Sequence, residues 1–270
     1  MVIDFHTHTF PDKIAAKTIA LLEKKGYDES FRDGSVSSLL GCMKKAGVDI
    51  SVSLPVATKV SQVESINRMS KELNGKNGLI FAGAIHPDCE NIEEILDDIK
   101  ESGLYGIKLH SDYQDLFFDE ERCIRIIRGA AERDLMITAH AGFDPAYPNE
   151  VHCTVDMIVN VLDKVGSVLD DKLILAHMGS VDKPDEVIEK LVGRKVYFDT
   201  AYVLDKFPDA CVKIIKRHGA DRVLFASDSP WSNQKKYVEL LKSLDLSDTE
   251  KELILYKNAQ RILRAHGQNV

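Results

Sequence analysis

The chain has 270 residues, 44% of them hydrophobic and 29% charged, an ordinary composition for a globule with a sizeable core, which excludes disordered and collagen-like chains. Its 35 Lys+Arg against 43 Asp+Glu leave a net charge of −8, with no basic block, so neither nucleic acid nor an anionic membrane surface is an expected partner. No apolar run reaches the roughly 18–20 residues of a membrane span. Residues 1–6 lack the basic and apolar regions of an export signal, and five scattered cysteines without a C-x-x-C pair suit reduced thiols, so a cytoplasmic protein is expected.

Short apolar runs alternate with amphipathic helical patterns from end to end. The strand candidates, in chain order, are 2–5, 49–54, 79–84, 104–110, 135–140, 172–177, 195–199 and 222–227. Each is short and several are rich in Val, Ile, Leu or Phe, as strands buried on both faces should be. Between them lie helical stretches such as 92–100 and 155–165, whose apolar residues recur at i, i+3, i+4 and i+7. After the first strand comes the longest connection, with one helical stretch over 13–25 and a polar segment over 26–34. It belongs either to a lid on the catalytic rim or to a solvated cover. Ser247 and Glu250 have capping-box spacing ahead of a last helix. Eight strands, each followed by a helix, predict an α/β fold: a single (β/α)8 TIM barrel over residues 1–270. The rival open nucleotide-binding sheet needs a Gly-rich phosphate turn, and no G-x-G occurs.

Of nine histidines, six (His6, His8, His86, His110, His140 and His177) fall at or just beyond the C-terminal ends of those strands, where barrel enzymes assemble their sites. His152, His218 and His266 lie on helical or terminal segments and read as surface residues. Strand alternation puts Asp4, His6 and His8 on one inward face with Ile3 and Phe5 outward. By the same rule Gly106, Lys108 and His110 face inward with Tyr105 outward, and Leu175 pairs with His177, as Ala226 does with Asp228. His-x-His on a strand projects two imidazoles to one side about 7 Å apart, a sound local chelate. Further histidines and Asp228 on later strands strengthen it into a metal centre at the barrel mouth. Three nitrogens with one carboxylate suit Zn²⁺, with Fe²⁺, Co²⁺ and Mn²⁺ open. An open position on the ion would lower the pKa of a bound water towards ~7.

His6-Thr7-His8, Gly106-Ile107-Lys108-Leu109-His110, His140-Ala141-Gly142, His177-Met178-Gly179 and Ser227-Asp228-Ser229-Pro230-Trp231 occur in one strand order. Together they resemble the amidohydrolase superfamily, and within it the amidohydrolase-related family that holds both hydrolases and aminocarboxymuconate-semialdehyde-type decarboxylases. The resemblance runs from residue 4 to about residue 231 and implies a compact branch without an added β-sandwich. It implies that His6, His8, His140 and Asp228 bind the metal and that Asp228 also takes a proton from the attacking water. His177 would then orient water or substrate, or join Lys108 at a second ion if Lys108 is carboxylated. One ion is favoured and two stay open; pairing of Lys108 with Asp4 is the simpler alternative. His110, Lys108, Trp231 and Arg32 are the candidate substrate contacts, although Arg32 also reads as a loop arginine and Trp231 as rim packing. Gly142 and Gly179 are explained by turns with positive φ.

These readings favour a metal-dependent hydrolase of a small polar amide, ester or lactone. The alternative is a metal-dependent non-oxidative decarboxylase of a small carboxylic acid. A small-molecule substrate is the expected partner, and a homodimer is compatible with such a barrel.

Overall fold

A computed structural model describes residues 1–270. Its parallel strands are β1 (Ile3–Thr7), β2 (Ile50–Ser53), β3 (Leu79–Phe81), β4 (Gly83–Ala84), β5 (Gly106–Leu109), β6 (Met136–Ala139), β7 (Leu173–Leu175), β8 (Tyr197–Asp199) and β9 (Val223–Leu224). β3 and β4 are one barrel strand interrupted at Ala82, so the eight expected strands are all present. Pairing runs β1-β2-β3 and then β4 through β9. Further backbone bonds join the two sets: the Ala82 N–H donates to Ser53 O at 3.1 Å, and β1 meets the segment after β9 through Phe5 N–H to Phe225 O at 2.8 Å, Asp228 N–H to His6 O at 2.9 Å and His8 N–H to Ser229 O at 2.8 Å. Thr7 pairs with Ser229 beyond β9. The result is a closed (β/α)8 barrel with helices outside.

Two apolar sets explain the layering. Outward residues such as Ile107, Leu109, Ile137, Leu175 and Phe198 pack with helical residues such as Leu96, Ile124, Ile158 and Leu241. A smaller set fills the lumen: Ile3, Phe5, Val52, Ile80, Tyr105, Met136, Ile174 and Leu224, with Ala259, Ile262 and Leu263 of the last helix against it. Helix ends carry their own signals. Ser247 and Glu250 form the capping box, and Gly47 ends the helix Val36–Ala46 in the left-handed conformation.

Simple alternation fails at three strands. In β1 the register slips between Asp4 and Thr7, a bulge that lets Phe5 and His6 both serve the lumen side. Phe5 meets Tyr105 edge-on, with ring centroids 5.6 Å apart, so neither ring points to the helices as expected. Asp4 instead faces the helix layer, accepting from Ser227 N at 2.9 Å, Ser227 Oγ at 2.5 Å and Gln234 Nε2 at 2.8 Å. It is therefore not the partner of Lys108. After β7, Leu175 packs outward, and a run of positive φ at His177, Met178 and Gly179 turns His177 back over the mouth. Gly179 needs its lack of a side chain: a Cβ there would lie 2.8 Å from the Phe198 ring.

Candidate active site

At the C-terminal mouth, His6, His8 and Asp228 converge. His6 Nε2 lies 3.1 Å from His8 Nε2, and Asp228 Oδ1 lies 3.2 Å from His8 Nε2 and 3.6 Å from His6 Nε2. The outer nitrogens decide the tautomers. His8 Nδ1 is 3.0 Å from the Leu54 carbonyl, which can only accept, so His8 Nδ1 carries the proton. His6 Nδ1 donates to the Asp199 carboxylate at 2.8 Å. Both Nε2 atoms therefore turn lone pairs towards each other and towards Asp228 Oδ1, a buried oxygen without a hydrogen-bond donor. Three electron-rich atoms converge here, and only His6 Nε2 has a cation near it, Lys108 Nζ at 3.4 Å; the shared point between all three fits a divalent metal ion. Burial raises the Asp228 carboxyl, yet His6, His8 and His177 outweigh it and hold it below the usual range. Burial, aided by Lys108, drives the His6 pKa well below the ordinary imidazole value.

His140 stands beside this trio rather than within it. Its Nδ1 is 3.0 Å from His177 Nε2, while His177 Nδ1 donates to the Ala201 carbonyl at 3.0 Å. Burial lowers the pKa of both rings. On its other side His140 stacks on His110, with centroids 4.1 Å apart and planes 9° apart. His110 sits between two acids, Nε2 3.4 Å from Asp144 and Nδ1 3.6 Å from Asp112. Although His110, His140 and Asp144 are close enough to suggest another ion site, parallel rings send their lone pairs in parallel. Such lone pairs do not meet at one ion, and the group's one polar contact is that of His110 with Asp144.

Lys108 is fully buried with Nζ 3.4 Å from His6 Nε2. Burial pulls its pKa down to about 8 despite Asp199 and Asp228 nearby. Trp231 lines the cavity and packs against Tyr27, with centroids 4.5 Å apart. Arg32 is absent from the lining. It is buried, and its guanidinium donates to Ser229 Oγ at 2.9 Å, Ser229 O at 3.0 Å, Ser35 O at 3.2 Å and the His8 carbonyl. The expectation that it meets substrate is corrected: four of its five N–H donors hold the first loop to the loop after β9. Of the histidines read as surface residues, His218 is buried and His152 Nδ1 is 3.1 Å from Asp112 Oδ1.

Asp112, Asp144, Asp199 and Tyr27 complete the site without having been singled out as site residues in the sequence, apart from Asp199 as a strand-end residue. Tyr27 Oη donates to Asp144 Oδ2 at 2.6 Å, so the polar segment after the first helix is pinned across the mouth. Burial alone would raise Asp144, but His110 and Tyr27 hold it below the usual value. The cavity above these residues opens at the mouth and has a volume of about 640 Å³. Its floor is His6, His8, His140, His177, Asp228 and Lys108; its walls are largely aromatic and aliphatic, including Phe10, Tyr113, Phe143, Tyr147 and Tyr202.

A family model described as amidohydrolase matches residues 3–265. Among curated proteins, none matches the chain. Solved structures that share the fold at low identity include the following three. A dihydroxybenzoic acid decarboxylase from Polaromonas with bound manganese and the inhibitor 2-nitroresorcinol is 14% identical, with a TM-score of 0.70 over 97% of this chain and 96% of that one. A 5-carboxyvanillate decarboxylase from Novosphingobium aromaticivorans, also with bound manganese, is 16% identical, with a TM-score of 0.75 over 98% and 97%. A TIM-barrel protein of uncharacterised function from Bordetella bronchiseptica is 17% identical, with a TM-score of 0.76 over 99% of both chains.

Proposed function

The chain belongs to the amidohydrolase family, and on that premise we propose that it is a divalent-metal-dependent, non-oxidative decarboxylase of a small carboxylic acid with a flat apolar body. This reverses the order of preference drawn from the sequence, which put hydrolysis first. The observation that carries it is the cavity, whose histidine, aspartate and lysine floor lies beneath aromatic and aliphatic walls. Such a space suits a planar acid standing with its carboxylate on the floor. The decarboxylases of aromatic acids among the similar structures support the same choice.

His6, His8 and Asp228 would hold the ion, with His140 at its flank. When bound, the ion supplies Lewis-acid polarisation of the substrate's oxygens. The N/O donor set accepts the Zn²⁺ expected from the sequence and equally Mn²⁺. Asp199 and the Leu54 carbonyl keep the first two imidazoles in the ligating tautomer. In the reaction the bond from the carboxyl carbon to the substrate's body breaks, CO₂ leaves, and the electron pair stays on the remaining carbon. That carbon then takes a proton. His177 is the proposed donor, because Nδ1 is locked on the Ala201 carbonyl and Nε2 faces the cavity floor beside His140. Burial lowers its pKa, so its protonated form gives up the proton readily. Solvent restores one proton per turnover.

The test is CO₂ release from a panel of aromatic acids, including 2,6-dihydroxybenzoate and 5-carboxyvanillate, by protein loaded with Mn²⁺ or Zn²⁺. CO₂ release that disappears in Asp228→Asn is the expected result. Hydrolysis of an ester or lactone panel without CO₂ release from any acid would return the hydrolase to first place.

A further inference from the structure

The cavity's lining residues within 9–22 and 54–69 include no ionisable side chain, and most are apolar. Two helices supply them. Ile14, Leu21 and Leu22 lie beside or on the helix Ala15–Lys24, and Ile66 and Met69 lie on the helix Val63–Leu73. Leu54, whose carbonyl holds His8 Nδ1, joins this wall to the metal-binding trio, so the apolar side and the floor are one continuous space. Ile14 is 50% exposed and Leu21 57%; a seven-residue spacing puts them on one face of a helix that buries only Ala15 and Ile19. Apolar side chains scattered singly over a surface are ordinary, but a set gathered on the wall of one cavity marks a ligand groove. The polar groups on this side are engaged with each other: Gln62 Oε1 accepts from Thr58 N at 2.8 Å and from Thr58 Oγ1 at 3.1 Å. A volume of about 640 Å³ lies in the range that takes drug-sized ligands, and a single-ring acid standing on the floor fills only part of it.

We propose that the wall formed by these two helices is a subsite for an aliphatic tail, so that the preferred substrates are amphiphilic acids: an aromatic carboxylate at the floor with a saturated chain of several carbons on its ring. The tail gains by leaving water, and no charged group on this side has to be desolvated when it enters. The assignment deepens the decarboxylase reading and rests on it for the word substrate. Its test therefore measures binding apart from turnover.

Calorimetric titration of the Mn²⁺-loaded protein with benzoate and with its meta- and para-ethyl, -butyl and -hexyl derivatives reads the subsite directly. In at least one of the two series affinity should rise roughly two- to fourfold per added methylene, the upper figure being a CH₂ taken wholly out of water. Leu21→Asp, at a position exposed enough for the fold to accept it, should flatten that rise, and Leu21→Met should keep it. Phe31→Asp is the control, because Phe31 is as exposed as Leu21 but does not line the cavity; it should leave the rise intact. Affinity indifferent to chain length in both series, a rise that persists in Leu21→Asp, or one that Phe31→Asp abolishes equally would overturn the assignment. If the rise depends on Leu21 but no acid, with or without a tail, releases CO₂, the tail subsite stands and the decarboxylase reading falls. CO₂ release from the turnover panel with no effect of chain length does the reverse.

Discussion

Replacing Asp199 with asparagine tests the tautomer logic of the metal-binding trio. Asp199 is fully buried; Oδ2 receives the His6 Nδ1–H at 2.8 Å, and Oδ1 receives the N–H groups of His177 at 2.9 Å and Ala201 at 3.0 Å. An asparagine keeps one acceptor oxygen, and the two backbone donors claim it. Its amide NH₂ then points at His6 Nδ1 and demands a lone pair there. The proton moves to His6 Nε2, the atom 3.1 Å from His8 Nε2, and one of three metal-facing lone pairs is lost. Loss of such an outer partner weakens metal binding by about 10–100-fold, or roughly 1.4–2.7 kcal/mol, and inversion of the tautomer places Asp199→Asn at the upper end. The fold should tolerate the change, since burial already raises the Asp199 pKa and the variant removes that buried charge. The assay is Mn²⁺ or Zn²⁺ affinity by competition with a chromophoric chelator, with the melting temperature as a check on folding. A folded Asp199→Asn protein with wild-type metal affinity would refute the reasoning.

Two further outcomes concern residues whose sequence readings changed. Arg32→Met should destabilise the fold by about 3 kcal/mol, as loss of a buried charged hydrogen-bonding hub does. The matching drop in melting temperature is roughly 6–12 °C for a chain of this size; a raised KM with an unchanged melting temperature would instead make Arg32 a substrate contact. His218 is held neutral, with Nδ1 accepting from Gly193 N at 3.1 Å and Nε2 donating to Val196 O at 3.0 Å, and burial lowers its pKa. Its stabilising contribution is therefore complete above the unfolded value of about 6.5 and is lost as pH falls below it towards the folded value. The difference in melting temperature between wild type and His218→Gln should shrink from neutral to mildly acidic pH, and a constant difference would contradict this sign.

Much of the barrel was legible because its signals are local. An apolar run, a glycine after a helix or a Ser-x-x-Glu box is read within a few residues, and the eight strands were found in this way. The clustering of His6, His8, His110, His140, His177 and Asp228 follows almost automatically, because a barrel brings the ends of all its strands to one mouth. Their orientation was less secure. Alternation carries no information across a bulge such as that in β1, or across left-handed backbone such as that at His177 and Met178. Asp4 was misplaced for the first reason and Leu175 for the second.

Partners far apart in the chain had no sequence signature at all. His6 and Asp199 are 193 residues apart, and Tyr27 and Asp144 are 117. A buried carboxylate that orients a histidine looks, in a sequence, like any aspartate at a strand end. Arg32 shows the converse, since an arginine on a polar loop becomes a buried clamp only when the loop after β9 folds against it. The sequence by itself determined the order of strands and which chemical groups arrive at the mouth, because both follow from local pattern and chain order. Tertiary structure alone decided which nitrogen faces inward and which acid holds which histidine, because those depend on donors and acceptors that only closure of the barrel brings within 3 Å.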